Sequence, residues 1–119
     1  MKKILIVDDE DSFRKSIGSQ LKLKGWGVFE AQDGMMGLDL AEQHKPDVIL
    51  CDVHMDIMNG FMMVEELKQN PATSEIPVII MTSAAQAAGA WNSDIAVDYL
   101  EKPFTIAKLL EVLAAVVKK

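Results

Sequence analysis

The chain has a single cysteine, Cys51, among 119 residues. One thiol excludes an internal disulfide and fits a reducing cytosol. It sits in an apolar run and reads as a buried, inert thiol. Long hydrophobic stretches are also missing: the apolar runs are strand-sized, well short of the roughly 18 residues of a membrane span. The first of them, Ile4 to Val7, stops at acids with no small-residue cleavage site behind it, so it is not read as a signal peptide. Basic residues are in deficit, 12 against 18 acidic, for a net charge of −6. That balance argues against direct nucleic-acid binding, which needs a basic face, and suits binding of cations or basic partner surfaces. No GKS or GKT follows the glycines around Trp26, so there is no phosphate-binding loop of that kind. Internal repeats, low-complexity segments and linkers are absent, and the length is that of one domain over residues 1–119.

What is present is an alternation. Five short apolar runs, 3–7, 28–31, 48–51, 78–81 and 96–100, are separated by segments of helical character. Phe13, Ile17 and Leu21 recur every four residues, which predicts a helix of about 14 residues. Gly25 ends it, with Lys22 and Lys24 in its last turn. Asp33-Gly34 opens a second helix, with Leu38 and Ala41 inward, that stops before Pro46. A third runs from Gly60 to Asn70-Pro71, with Met63, Val64 and Leu67 inward and Met62 also expected in the packing. The segment SAAQAAGAWNSD starts as a helix, but Gly89 and Asn92-Ser93 cut it short, so the fourth helix is expected to be stunted or irregular. The fifth begins at Thr105, a suitable N-cap, and carries Ile106, Leu109, Leu110, Leu113, Val116 and Val117 in one stripe. Alternating strands and helices predict an α/β fold, a parallel sheet with right-handed crossovers and helices on both faces.

The strand ends carry the chemistry. The first run ends in Asp8-Asp9, the third in Asp52, the fourth in Thr82-Ser83, and the fifth is followed by Glu101-Lys102-Pro103. Sheets of this kind place functional groups at the C-terminal strand ends. With strand order 2-1-3-4-5, Asp8, Asp9, Asp52, Thr82 and Lys102 converge. Crowded carboxylates resist joint ionisation unless a cation is near, and Mg²⁺ suits a few carboxylates plus waters and a phosphoryl oxygen. A carboxylate is also a competent nucleophile toward phosphorus. An ammonium and a hydroxyl can hold phosphoryl oxygens during the transfer. Taken singly, each group has an ordinary reading: Asp8-Asp9 or Thr82 as helix caps, Asp52 as a turn residue, Lys102-Pro103 as a loop. It is their combination at four strand ends that points to a site.

The motifs ILIVDDE, PDVILCDVHMDIMNG, IPVIIMTS and DYLEKPF together make the whole chain resemble the receiver domain of bacterial two-component response regulators. In size it is similar to the single-domain chemotaxis regulator of that family. The resemblance implies a flavodoxin-like, three-layer fold with five helices around a five-stranded sheet of order 2-1-3-4-5. It implies a cytoplasmic signalling switch rather than an enzyme, with Asp52 accepting a phosphoryl group from a histidine kinase or phosphotransfer protein. Its cofactor would be Mg²⁺, with Mn²⁺ able to replace it. Asp9 and Asp52 would bind the ion directly, Asp8 mainly through water, and His54 through its backbone carbonyl. Thr82 and Lys102 would hold the phosphoryl oxygens, the Lys102–Pro103 peptide would be cis, and Tyr99 would be the switch residue that moves with Thr82. The readout would be altered binding to a downstream protein or output domain, with no nucleic-acid or membrane contact of its own.

The chain departs from the family's pattern at three places. Asp56 stands where proline is usual, removing a fixed φ and adding charge. The segment from Thr82 to Lys102, which includes Trp91, is a little shorter than the family implies. Ser83 replaces a smaller residue beside the phosphate pocket, and Ala84 offers no polar group for a hydrolytic water. The missing proline and the irregular fourth helix support an alternative, an interaction module of the same fold that works without phosphorylation. A phosphatase of the haloacid type would want an acid where His54 stands, and a flavin-binding protein would not place acids after the first strand. His44 pairs with no other ligand in the sequence and is expected at the surface.

Overall fold

The computed structural model describes residues 2–52, 60–83, 98–102 and 104–117. Five strands form one parallel sheet: β1 (Lys3–Val7), β2 (Gly27–Ala31), β3 (Val48–Asp52), β4 (Val78–Ser83) and β5 (Asp98–Lys102). Their order is β2-β1-β3-β4-β5, as the alternation and the resemblance implied. Four helices are described: α1 (Asp11–Leu23), α2 (Gly34–His44), α3 (Gly60–Gln69) and α4 (Ile106–Val116). The expected short helix before β5 lies outside the described residues.

The sheet separates two apolar layers, because successive strand residues point to opposite faces. Leu5, Val7, Ile49, Cys51, Val78 and Ile80 pack with Ala41 of α2 and with Met63, Val64 and Leu67 of α3. Ile4, Ile6, Val48, Leu50, Ile79 and Met81 pack with Ile17 and Leu21 of α1 and with Leu109 and Leu113 of α4. Strands buried on both faces need uninterrupted apolar sequence, and 4–7, 48–51 and 78–81 are buried throughout.

The C-terminal end of β5 is shifted beyond the apolar run at 96–100, to Lys102. Its ladder with β4 pairs Thr82 with Glu101 and Ser83 with Lys102. As an edge strand it tolerates charge, so hydropathy does not mark the residues that pair. The shift brings Lys102 onto the end of the ladder.

Helix ends follow the local sequence. Gly25 adopts φ +96°, and after it the Trp26 N–H donates to the Leu21 carbonyl at 3.0 Å, which closes α1 as glycine does at such positions. Asp33 caps α2 by accepting from the Met36 N–H at 2.8 Å, and Thr105 caps α4 by accepting from the Lys108 N–H at 3.0 Å. Three side chains differ from expectation. Met62 is 48 % exposed while Met63 and Val64 are buried, because Met62 falls outside the face of α3 that Met63, Val64 and Leu67 turn to the sheet. Val112, outside the predicted stripe, is buried with Leu109 and Leu113. His44 is half-buried, its ring stacked on Phe29 at 4.2 Å.

Gly37 marks where α2 comes closest to the sheet. A Cβ there would lie 3.0 Å from both Val7 Cγ2 and Met63 Cε. Val7 is buried in β1 directly before Asp8 and has no room to yield. Gly37→Val should lower unfolding free energy by about 1–3 kcal/mol, read as a shifted urea midpoint at unchanged slope.

Candidate functional site

Asp8 follows β1 and has no exposed surface. Its main-chain N–H donates to the Ala31 carbonyl at 3.1 Å. Its Oδ1 accepts from the Glu10 N–H at 2.9 Å. The carboxylate thereby shapes the turn into α1, where Glu10 is the N-cap but makes no side-chain cap bond. Asp9 is exposed beside it. Asp52 closes β3, its side chain 13 % exposed. It continues the parity of Leu50 and so faces the α1–α4 side of the sheet, as Lys102 does in the parity of Leu100. Carboxylate oxygens of Asp8, Asp9 and Asp52 all lie within 4.8 Å of one another.

Lys102 reaches into this cluster. Its Nζ donates to Asp8 Oδ2 at 2.9 Å and lies 3.4 Å from Asp52 Oδ2. On the other side the ammonium rests 4.3 Å from the centre of the Phe13 ring, a favourable cation–π placement. Phe13 in turn meets Phe104 edge-on at 5.8 Å. Burial works against the charge on Lys102, but the hydrogen bond to Asp8 and the fields of Asp8 and Asp52 outweigh it and raise its pKa above the ordinary lysine value. Lys102 is therefore a fixed positive charge at neutral pH. Thr82, 2 % exposed, stands in β4 one residue beyond Met81, the partner of Asp52 in the ladder.

The structure thus brings together Asp8, Asp9, Asp52 and Lys102, with Thr82 on the neighbouring strand end. Tyr99 lies in β5 opposite Ile80 and Ser83 in β4 opposite Lys102. His54, Asp56, Ala84, Trp91 and Pro103, and with it the Lys102–Pro103 peptide, lie outside the described residues. Cys51 is buried next to the site, and burial pushes its thiol pKa well above the ordinary value, with the charges of Asp52 and Asp8 adding to the effect. It stays protonated and unreactive.

Two residues at the site escaped the sequence reading. Arg14 is 5 % exposed and donates to the Asp8 carbonyl through Nη1, to Asp11 through Nη2 and to Glu30 Oε1 through Nε at 3.1 Å. The signals were there. Arg14 falls on the apolar stripe of α1, three residues before Ile17, and Glu30 interrupts the apolar run of β2. A charge in a buried pattern implies a buried partner.

The donor set fits a hard divalent cation. All three groups offer carboxylate oxygen, the hard donor that Mg²⁺ takes, and those oxygens lie within 4.8 Å of one another. Asp8 is already held on the cluster side by Lys102, so an entering cation shares its carboxylates with an ammonium.

A doubly wound parallel sheet with acids at the ends of β1 and β3 and a lysine at the end of β5 defines a receiver-type signalling domain. The chain belongs to the response regulator receiver domain family, which it matches over residues 4–114. It is 40 % identical over 118 residues to Protein PilH of Pseudomonas aeruginosa, covering 98 % of each chain. Its fold superposes on the chemotaxis response regulator CheY4 of Vibrio cholerae with a TM-score of 0.89, at 31 % identity and 98 % coverage of both. The receiver domain of sensor histidine kinase PA1611 from Pseudomonas aeruginosa superposes with a TM-score of 0.88 at 28 % identity, covering 99 % of this chain and 98 % of that one. That structure has a magnesium ion coordinated in its active-site cleft. Several other curated relatives are longer, and the chain spans about half of their length.

Lys102→Met should destabilise the metal-free protein, since it leaves Asp8 buried beside Asp9 and Asp52 without a counter-charge. We expect a loss of about 2 kcal/mol, below the usual range for breaking a buried pair because Lys102 is partly exposed, and recovery of most of it in millimolar Mg²⁺. The pKa of Lys102 is raised on folding, so its contribution is present below the unfolded lysine value of about 10.4 and fades as pH climbs through the folded value. Urea melts of wild type and variant should differ by a constant amount from pH 7 to 9 and converge at higher pH.

Proposed function

We propose that residues 1–119 act as a phosphoacceptor switch whose acceptor is Asp52. The observation that carries this is the meeting of three carboxylates within 4.8 Å with one ammonium at 2.9 Å from Asp8 and 3.4 Å from Asp52. A surface that needs a cation and already presents a nucleophilic oxygen suits phosphoryl transfer, which demands positioning and charge neutralisation more than covalent help.

In this reading an Asp52 oxygen attacks the phosphorus of a kinase or phosphotransfer-protein phosphohistidine. A P–O bond forms, the P–N bond breaks, and the imidazole leaves with its electron pair and takes up a proton. Asp52 is rigid because β3 pairs on both sides, with β1 and with β4, so its oxygen is held at the sheet's edge. Lys102 turns from carboxylate to phosphoryl oxygen over a short distance, its ammonium lying against the Phe13 ring. The Thr82 hydroxyl donates to a second phosphoryl oxygen. Asp8 and Asp9, with Asp52 and the His54 carbonyl, would hold Mg²⁺, or Mn²⁺ in its place. When bound, that ion neutralises the carboxylates and the equatorial phosphoryl oxygens. Drawing Thr82 toward the phosphoryl group biases a two-state equilibrium in which Tyr99 is the moving reporter, and the altered surface binds a downstream protein or output domain differently. The Lys102–Pro103 peptide is taken as cis in this reading.

The magnesium-bound receiver of PA1611 supports the choice of ion, and the family supports the switch rather than a classical enzyme. The reading places the protein in the cytoplasm; among the described residues no helix is long and apolar enough to cross a membrane.

Incubation with a small phosphodonor and Mg²⁺ should add one phosphoryl group, detected by intact mass. Asp52→Asn or a chelator should abolish the gain. A protein that gains no mass, or an Asn variant that still does, would favour the interaction module that works without phosphorylation.

A further inference from the structure

Among the described residues, Asp8 and Arg14 are the two buried charged side chains. They meet, but not through their charges: Arg14 Nη1 donates to the main-chain carbonyl of Asp8. The rest of the guanidinium is spent on Asp11 at the start of α1 and on Glu30 of β2 at 3.1 Å. Lys15 also lies 3.9 Å from Glu30. Asp8 is thus tied to β2 twice, by its N–H to the Ala31 carbonyl and by its carbonyl through Arg14 to Glu30. The turn that presents Asp8 and Asp9 is fixed from behind by this bridge, while Lys102 meets its carboxylate from the front.

Carboxylates bind a divalent cation tightly only when they are held in place before it arrives, and outer partners commonly set that order. Three donors aimed at three acceptors on different elements require a planar fork; an ammonium cannot reproduce it. We infer that Arg14, oriented by Glu30, is the positioning residue for the Asp8–Asp9 turn, so that affinity for divalent cations depends on a pair that never touches the ion. This rests on the metal-binding reading above. It assigns Arg14 an effect beyond docking α1 on the sheet, which the apolar contacts of Ile17 and Leu21 also provide.

The test compares Mg²⁺ titration by calorimetry with urea stability for the full chain and four variants. Arg14→Lys should weaken Mg²⁺ binding roughly tenfold and Glu30→Gln by about threefold, with the double variant no weaker than Arg14→Lys, because the two act as one unit. Ile17→Val, a core change on the same helix, should lower stability yet leave Mg²⁺ affinity within about twofold of wild type. A second readout needs no metal: amide exchange at Asp9 and Glu10 should quicken in Arg14→Lys and not in Ile17→Val. If Arg14→Lys is poorly folded, Glu30→Gln, whose side chain is 25 % exposed, carries the test. Wild-type binding that survives unchanged in Arg14→Lys and Glu30→Gln overturns this inference alone, as does an equal loss in Ile17→Val. Wild-type protein that binds no Mg²⁺ overturns the metal reading and this inference together.

Discussion

A carboxylate with no access to solvent must be neutralised or answered, and in this protein Asp8 is answered by Lys102, 94 residues away in the chain. The contact spans the sheet from the end of β1 to the end of β5, across β3 and β4. It can form only if the four crossovers joining the five strands place those ends on one edge. Asp52 lies between the two, on the same face, so the pair also draws the third strand's acid into the cluster. Once Asp8 and Asp52 are brought that close, a single ammonium leaves the local charge negative, since Asp9 adds a third carboxylate. That residual charge is what a divalent cation would meet.

The packing explains why such a cluster can be held. Its strands are apolar on both faces, and the ladder gives β1 and β3 little freedom. The polar work begins at the first residue past each buried run. Each strand supplies a rigid base, and turns or edge residues supply the chemistry. Arg14 and Phe13 extend this from α1, one gripping the backbone of Asp8 and the other bearing on Lys102. One helix therefore touches both the acidic and the basic side of the site.

Much of this was legible in the sequence. Continuous apolar runs located β1, β3 and β4, because a strand buried on two faces leaves no alternation to misread. The acids after β1 and β3 and the lysine near β5 could be gathered once the strand order was assumed. β5 was ended too early because edge strands pair through the backbone while carrying charged residues such as Glu101. Met62 and Val112 were misjudged where a helix stripe is wide and one residue decides which side is buried. Arg14 and Glu30 were passed over for a different reason. Each disturbed an apolar pattern, but their meeting depends on how α1 lies against β2, which no spacing within either element encodes.

The central claim is that Lys102 and a divalent cation share the same carboxylates. Lysine side-chain NMR during a Mg²⁺ titration reads this directly, using protein labelled at lysine nitrogen and aspartate carboxyl carbon. The account predicts that the Lys102 ammonium signal shifts saturably, in step with the carboxyl signals of Asp8, Asp9 and Asp52. A Lys102 signal that stays fixed while those carboxylates saturate, or carboxylates that do not respond at all, would contradict it.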